Sequence, residues 1–423
     1  MPKPSVAIIG GGVSGLYCAL RLVEEGFSDN IKVYEKSRRV GGKIKSEVRD
    51  QGVLEHGAWR FSKSHKLVQS LTSSFEKFDY PPCESSATSG SKGYMSQFAC
   101  RLFSGAKDAL SYAIQMDAGS GYVDSSAQAN DGGERHGTQY EGLVGGYEQI
   151  ISELVRRIGE DAEIHTETRV TNVRREHERF TFTLRAGENS EANVVVFACS
   201  PNLACHSSSD DIRKHLRILQ ACIVPLPLCR VYQYSSRKRK PSDAVTNSAS
   251  HRRIDLGNWN IVSYTSGRVA NAWRDLFVHD HKKAERILRG KSEYFYYAEG
   301  THMWKPAYRF CMKRQSQMAV RVQKDLYIVG EALSDTQGWA EGALRSVEEL
   351  VRHLHTKEKE PKQCKRFVYY RGRVISLHGW AKRHPGGQEF IKNLKNGECI
   401  DELFDRVHLS DEPWKQLFAL QQA

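Results

Sequence analysis

The sequence predicts an α/β protein in three parts: a domain on a parallel sheet, an α+β domain interleaved with it, and a small α+β module at the end. Three observations carry that expectation. Residues 5–9 form an apolar, β-favouring run broken by Gly10-Gly11-Gly12 and followed at once by helical periodicity. Strand-like runs return at residues 169–175, 180–184, 193–199 and 326–329, separated by sequence of a different character, as in a discontinuous domain. A charged stretch at 356–366, carrying Pro361, then sets off residues 367–423 as a unit beyond a linker.

The 423 residues allow for about two to three domains of roughly 150 residues each. A hydrophobic fraction of 39% with 26% charged residues is that of a folded globular chain and excludes global disorder. No apolar run reaches the roughly 18–20 residues that span a bilayer, so the expectation is a protein without a transmembrane segment. The start, Met1-Pro2-Lys3-Pro4, lacks the pattern of a signal peptide, which predicts a cytoplasmic location. Ten cysteines without Cys-x-x-Cys spacing fit reduced thiols there. The net charge of +12 suits an acidic partner without identifying one. The basic run from Arg237 to Lys240 has no interleaved aromatics, which argues against nucleic acid as a partner and for a solvated loop.

Taken in order, residues 13–25 show helical periodicity through Leu16, Leu20 and Val23, Gly26 closes the helix, and residues 31–35 alternate as a second strand. The first 35 residues are therefore a βαβ unit. Residues 84–137 are rich in Ser, Gly, Ala and Asp and read as an irregular insert, with 99–113 helical. Apolar Ile150, Ile151, Leu154, Val155 and Ile158 mark another helix after Gly145-Gly146. Residues 203–317 are mixed in pattern, and residues 342–354 form a helix after the strand at 326–329. This divides the chain into a discontinuous domain of 1–75, 140–202 and 318–355, an interleaved domain of 76–139 and 203–317, the linker, and the C-terminal module 367–423.

The turn Gly10-x-Gly12-x-x-Gly15 lies between a strand and a helix, where the first Gly allows the tight turn, the second a close approach of pyrophosphate, and the third close helix packing. Glu35, 20 residues past Gly15 at the end of the second strand, suits a ribose hydroxyl and disfavours a 2′-phosphate. This is a Rossmann-like dinucleotide site, and the fingerprint is shared by FAD and NAD. Further along come Arg38-Arg39-Val40-Gly41-Gly42-Lys43, Leu54-Glu55-His56-Gly57-Ala58, Gly145-Gly146, and Gly330-Glu331 with Gly338-Trp339-Ala340-Glu341-Gly342-Ala343. In this order the set resembles the flavin-containing amine oxidase superfamily, over residues 1–75, 140–200 and 318–355.

That resemblance implies noncovalent FAD and an FAD-dependent oxidoreductase of the amine oxidase type. By it, Gly10, Gly12, Ser14 and Gly15 would lie at the pyrophosphate, and Glu35 with Lys36 at the adenosine ribose. Arg38, Gly41, Gly42 and Lys43 would run beside the cofactor, Val170 would meet the adenine, and Gly330, Glu331, Gly342 and Ala343 would face the ribityl chain and flavin. Amine-oxidising relatives place a Lys near the flavin; the comparable segment here offers Arg230 instead. Trp339 matches one ring of the aromatic pair that frames substrate, with Trp304 or Tyr308 for the other, so Trp339 and Arg230 are the catalytic candidates. The substrate is then a small molecule, with an amine and a carbon–carbon bond acted on by a desaturase-like enzyme as the alternatives. A third alternative is a redox or binding protein that retains its cofactors without turnover.

The last module reads as a hairpin, residues 367–370 and 373–377, and then His384-Pro385-Gly386-Gly387, two helix-like segments at 388–394 and 399–404, and His408. This pattern, with Trp380 ahead of His384, resembles cytochrome b5. The resemblance implies a cytochrome b5-like domain holding haem b through the iron ligands His384 and His408, coordinatively filled and so suited to electron transfer. The acids Glu398, Asp401, Glu402 and Asp405 would favour a basic redox partner docking there.

Overall fold

A computed structural model describes residues 3–49, 52–80, 83–84, 140–185, 187–236, 242–245, 252–255, 258–304, 316, 319–355, 367–370, 373–377, 394 and 398–400. The first strand, β1 (Val6–Ile9), runs into helix α1 (Val13–Glu24) and returns as β2 (Ile31–Tyr34), the predicted βαβ unit. All four residues of β1 are buried, as a strand covered on both faces requires. Its neighbours are β2 on one side and Val194–Phe197 on the other, both parallel, with Val6 opposite Ile31 and Val194.

The complete sheet has the order Arg321–Gln323, Leu326–Ile328, Val194–Phe197, β1, β2, Glu163–His165. Only the pairing of Arg321–Gln323 with Leu326–Ile328 is antiparallel. The strand Glu163–His165 was absent from the sequence reading: three half-exposed residues at a sheet edge give no apolar run to detect. One face is packed by α1, Gln149–Ile158 and the helix Ala340–His355, in a core that includes Leu16, Leu20, Ile150, Leu154, Leu344 and Val347. That last helix starts at Ala340, two residues ahead of its predicted start.

The opposite face carries a three-stranded antiparallel sheet of Thr171–Glu176, Arg179–Thr183 and Asn189–Ala192. The helices Pro201–His206 and Asp210–Ala221 supply Ala204, Ile212 and Leu216 to the same core as Val195 and Phe197. The segment from 203 to 222 thus packs on the nucleotide-type sheet, and the second domain's own sheet begins at Ile223.

That second sheet has the order Ser292–Trp304, Ile223–Tyr234, Trp259–Ser266, Arg252–Asp255, Ser242–Val245, Cys83–Glu84. Two stretches far apart in sequence therefore share one sheet, as an interleaved domain requires. The predicted helix at 99–113 and most of the 84–137 insert lie outside the described residues. In the C-terminal module the hairpin is present as Phe367–Tyr370 and Arg373–Ser376, joined by a parallel strand Glu398–Cys399. Cys399 is a strand residue, so the helix read over 399–404 does not begin there. Among the described residues, no helix is long and apolar enough to cross a membrane.

Candidate active site

The turn between β1 and α1 separates the three glycine roles. Gly10 has φ +119°, a conformation that side chains resist. A Cβ on Gly15 would lie 1.9 Å from the Gly10 carbonyl oxygen, so only glycine lets α1 sit this close to β1. A Cβ on Gly12 would meet nothing nearer than Gly42 Cα at 4.0 Å, which leaves an open cradle at the helix N-terminus. Gly12 is the N-cap and no side chain caps the helix, so the first-turn N–H groups and the positive end of the dipole face that cradle. Gly330 joins its rim, with Ser14 Oγ at 4.0 Å the nearest atom to a Cβ built there.

Glu35 is buried and divides its oxygens: Oε2 accepts from Gly11 N–H at 2.9 Å and Oε1 from Ser37 N–H at 2.8 Å. The carboxylate thus fixes the turn and keeps lone pairs for a ribose hydroxyl. The segment bearing Val170 docks beside it, with Glu167 N–H donating to the Ser37 carbonyl and Thr168 N–H to that of Glu35. Lys36 and Arg38 are exposed, and Arg38 pairs with Glu167 at 3.2 Å. The arginine woven into the Gly41-Gly42 loop is Arg39, which donates to the carbonyls of Val40, Gly42 and Ile44. Arg38, expected to run beside the cofactor, is the more exposed of the two arginines.

Glu331 gathers three donors: Lys43 Nζ at 3.3 Å and His302 Nδ1 at 2.7 Å on Oε1, and Gly338 N–H at 2.9 Å on Oε2. Burial opposes the charge, and Lys43 and His302 overcome it, holding the carboxyl down to about 2. Gly342 packs where a Cβ would lie 1.9 Å from the Thr336 carbonyl oxygen, and Ala343 is buried. The open cradle at the α1 N-terminus and the buried Glu35 carboxylate beside it fit the pyrophosphate and ribose of a dinucleotide such as FAD.

Next to this groove lies an aromatic cluster. Trp339 stacks on Tyr140, centroids 5.7 Å apart and planes at 12°. Trp304, named from sequence for that role, instead donates its indole N–H to the Ser334 carbonyl and belongs to the nucleotide-domain core. Tyr308, His384 and His408 lie outside the described residues. The guanidinium of Arg60 sits 3.6 Å from the Tyr140 centroid, 4.5 Å from Trp59 and 5.9 Å from Trp339. Arg230 is buried too, 5.1 Å from the Trp59 centroid, and donates to the carbonyls of Glu55 and Gly57, both at 2.6 Å. Two of its donors are thereby committed to holding the chain that leads into Trp59.

His65 meets Trp339 edge to face at 4.7 Å. Its Nδ1 accepts from Ser62 N–H at 3.2 Å, which puts the proton on Nε2, and Nε2 has no hydrogen-bond partner among the described residues. Burial, with Arg345 and Arg60 nearby, drives its pKa down to about 3, so the ring is neutral. Glu341 Oε1 and Oε2 accept from Leu67 and Val68 N–H, capping the helix α2 (Lys66–Leu71) whose N-cap is His65. Tyr140, Arg60, His65 and His302 escaped the sequence reading, since each is an isolated residue brought in by pairing across the fold.

Residues 8–75 match the family described as NAD(P)-binding Rossmann-like domain, and residues 84–217 that of flavin containing amine oxidoreductase. Putrescine oxidase, in a structure of the wild type bound to putrescine, superposes with a TM-score of 0.64 at 15% identity, covering 83% of this chain and 99% of that one. The fold is that of putrescine oxidase, and residues 84–217 are similar in sequence to flavin containing amine oxidoreductases. Tryptophan 2-monooxygenase of Agrobacterium tumefaciens (strain Ach5) is 50% identical over 64 residues, 14% of this chain and 8% of its own. The peroxisomal N(1)-acetyl-spermine/spermidine oxidase of Bos taurus is 42% identical over 55 residues, 13% of this chain and 11% of its own. The chain therefore aligns with only about a tenth of the length of these curated relatives.

Proposed function

We propose that this chain is an FAD-dependent oxidoreductase that oxidises a small amine, with an α-amino acid as the favoured substrate class. The observation that carries the reading is the Tyr140–Trp339 stack with Arg60 laid on it, directly beside a groove shaped for a dinucleotide. FAD, when bound, accepts two electrons from an organic substrate and releases them singly or together. The protein's part is to hold the substrate. Parallel rings favour a flat or cationic group, Arg60 adds a planar fork suited to a carboxylate, and the neutral His65 adds an N–H donor. Relatives named for tryptophan, acetylated polyamines and putrescine support an amine.

For the C-terminal module we propose haem b held by His384 and His408, passing electrons singly to or from the flavin side and to a basic partner docking at the acidic residues near His408. The hairpin of Phe367–Tyr370 and Arg373–Ser376 supports this reading. The cysteines at 18, 199, 205, 222 and 229 are thiols, which supports a reducing, cytoplasmic setting.

Anaerobic mixing of the purified protein with a panel of amino acids, diamines and acetylated polyamines tests the first proposal. Bleaching of the flavin bands by amino acids, and its loss in Arg60→Ala with diamine bleaching retained, is the expected result. Bleaching by diamines alone would overturn the amino-acid assignment, and bound flavin that no amine bleaches would overturn amine oxidation. A haem Soret band in the same spectrum tests the second proposal, and its absence from protein made with added haem would overturn it.

A further inference from the structure

The strand Ser292–Trp304 brings one imidazole against the cofactor-side carboxylate, and no motif led to it. His302 is buried, with Nδ1 2.7 Å from Glu331 Oε1. An ionised carboxylate only accepts, so Nδ1 carries the hydrogen and donates. Its other nitrogen lies 4.0 Å from Glu299 Oε2, and Glu299 is steadied by Asn202 Nδ2 at 2.7 Å. Lys43, the second donor to the same oxygen, is itself anchored by the carbonyls of Glu299 at 3.2 Å and Gly300 at 2.9 Å. His302 and the carbonyls that hold Lys43 are thus on one strand of the second domain, while Glu331 follows Gly330 at the rim of the phosphate cradle. The free oxygen of Glu331 accepts from Gly338 N–H, next to Trp339 and two residues before the helix Ala340–His355.

We infer that His302 is a positioning residue for FAD: by fixing one oxygen of Glu331 it leaves the other to hold the Gly338 turn, and so keeps the start of the last helix in the shape that receives the cofactor. This rests on the FAD reading above. Two variants separate the hydrogen bond from mere bulk. In His302→Asn the side-chain amide overlies the Nδ1 position and restores the donor, whereas His302→Gln fills the ring's space but carries its amide at the Nε2 position.

The measurement is FAD affinity, by titrating apo protein and following flavin fluorescence, with urea unfolding of the apo proteins alongside. His302→Gln should weaken FAD by about ten- to a hundredfold, the loss expected for one charge-assisted hydrogen bond, and His302→Asn should stay within about threefold of wild type. Equal losses in both variants, or wild-type affinity in His302→Gln, would overturn the inference. So would a loss of affinity that merely follows the apo unfolding midpoint in both. Wild-type protein that takes up no FAD at all would overturn the cofactor reading itself, and this inference with it.

Discussion

Two glycines in one turn should fail in opposite ways. A methyl group on Gly15 would sit 1.9 Å from the Gly10 carbonyl oxygen and 3.1 Å from Ala198 Cβ. Backbone and sheet would both have to yield, so Gly15→Ala should cost the apo protein about 3 kcal/mol or more, the upper range for overpacking. At Gly12 the nearest atom is 4.0 Å away and φ is −75°, so alanine meets neither clash nor strain. The small loss of N-cap preference is offset by a less flexible unfolded chain, and apo stability should change by less than about 1 kcal/mol. The methyl group nevertheless occupies the cradle, holding a pyrophosphate away from the first-turn N–H groups. FAD affinity of Gly12→Ala should fall by about ten- to a hundredfold, equivalent to one or two weakened charged hydrogen bonds. Urea unfolding by circular dichroism reads stability, and flavin titration reads affinity. Wild-type FAD affinity in a folded Gly12→Ala protein would refute the placement of the phosphate.

Three further outcomes are expected. Burial raises the Glu55 carboxyl from 4.5 to about 7, against the hydrogen bonds from Ser46 and Tyr147. The folded state then keeps a proton that the unfolded chain loses, so stability falls as pH rises from about 4.5 through about 7, by on the order of 3 kcal/mol in all; in Glu55→Gln, chemical denaturation should show this component gone. Tyr140→Ala or Trp339→Ala should raise the substrate KM by about two- to tenfold while Tyr140→Phe keeps it, the range of one aromatic pair, and steady-state kinetics will show whether the stack bears on substrate. His384→Ala or His408→Ala should abolish the low-spin haem spectrum and leave flavin bound; an unchanged haem spectrum would sink the ligand assignment.

What was legible in the sequence was whatever the chain does locally. The strand, turn and helix from Val6 to Glu24 stand within a residue of their expected places, because apolar period and glycine spacing are encoded in consecutive positions. The second domain hid its sheet. Pro225 and Pro227 argue against a central strand, yet Ile223–Tyr234 is one. Its pairing with Trp259–Ser266 starts only at Leu228, and a bulge interrupts the other side between Leu226 and Leu228, so the prolines sit where pairing is one-sided or broken. The aromatic stack was half legible for a related reason. Trp339 belongs to a motif, but Tyr140 reaches it through the pairing of Phe61 with Glu141, a contact across 80 residues that no window of sequence contains.

The threading of the two sheets also dictates an order of events. The first strand made cannot complete its sheet until Val194–Phe197 and then Leu326–Ile328 have been synthesised, and Cys83–Glu84 waits for Ser242–Val245. Loop closure over such separations is entropically costly and slow. An isolated fragment of residues 8–75 would keep α1 on one face of its two strands and expose the other face and both outer edges. The nucleotide-type domain is therefore not a portable cassette: neither domain can be cut out by severing the chain at one point, and each matures only when the other has been threaded through it.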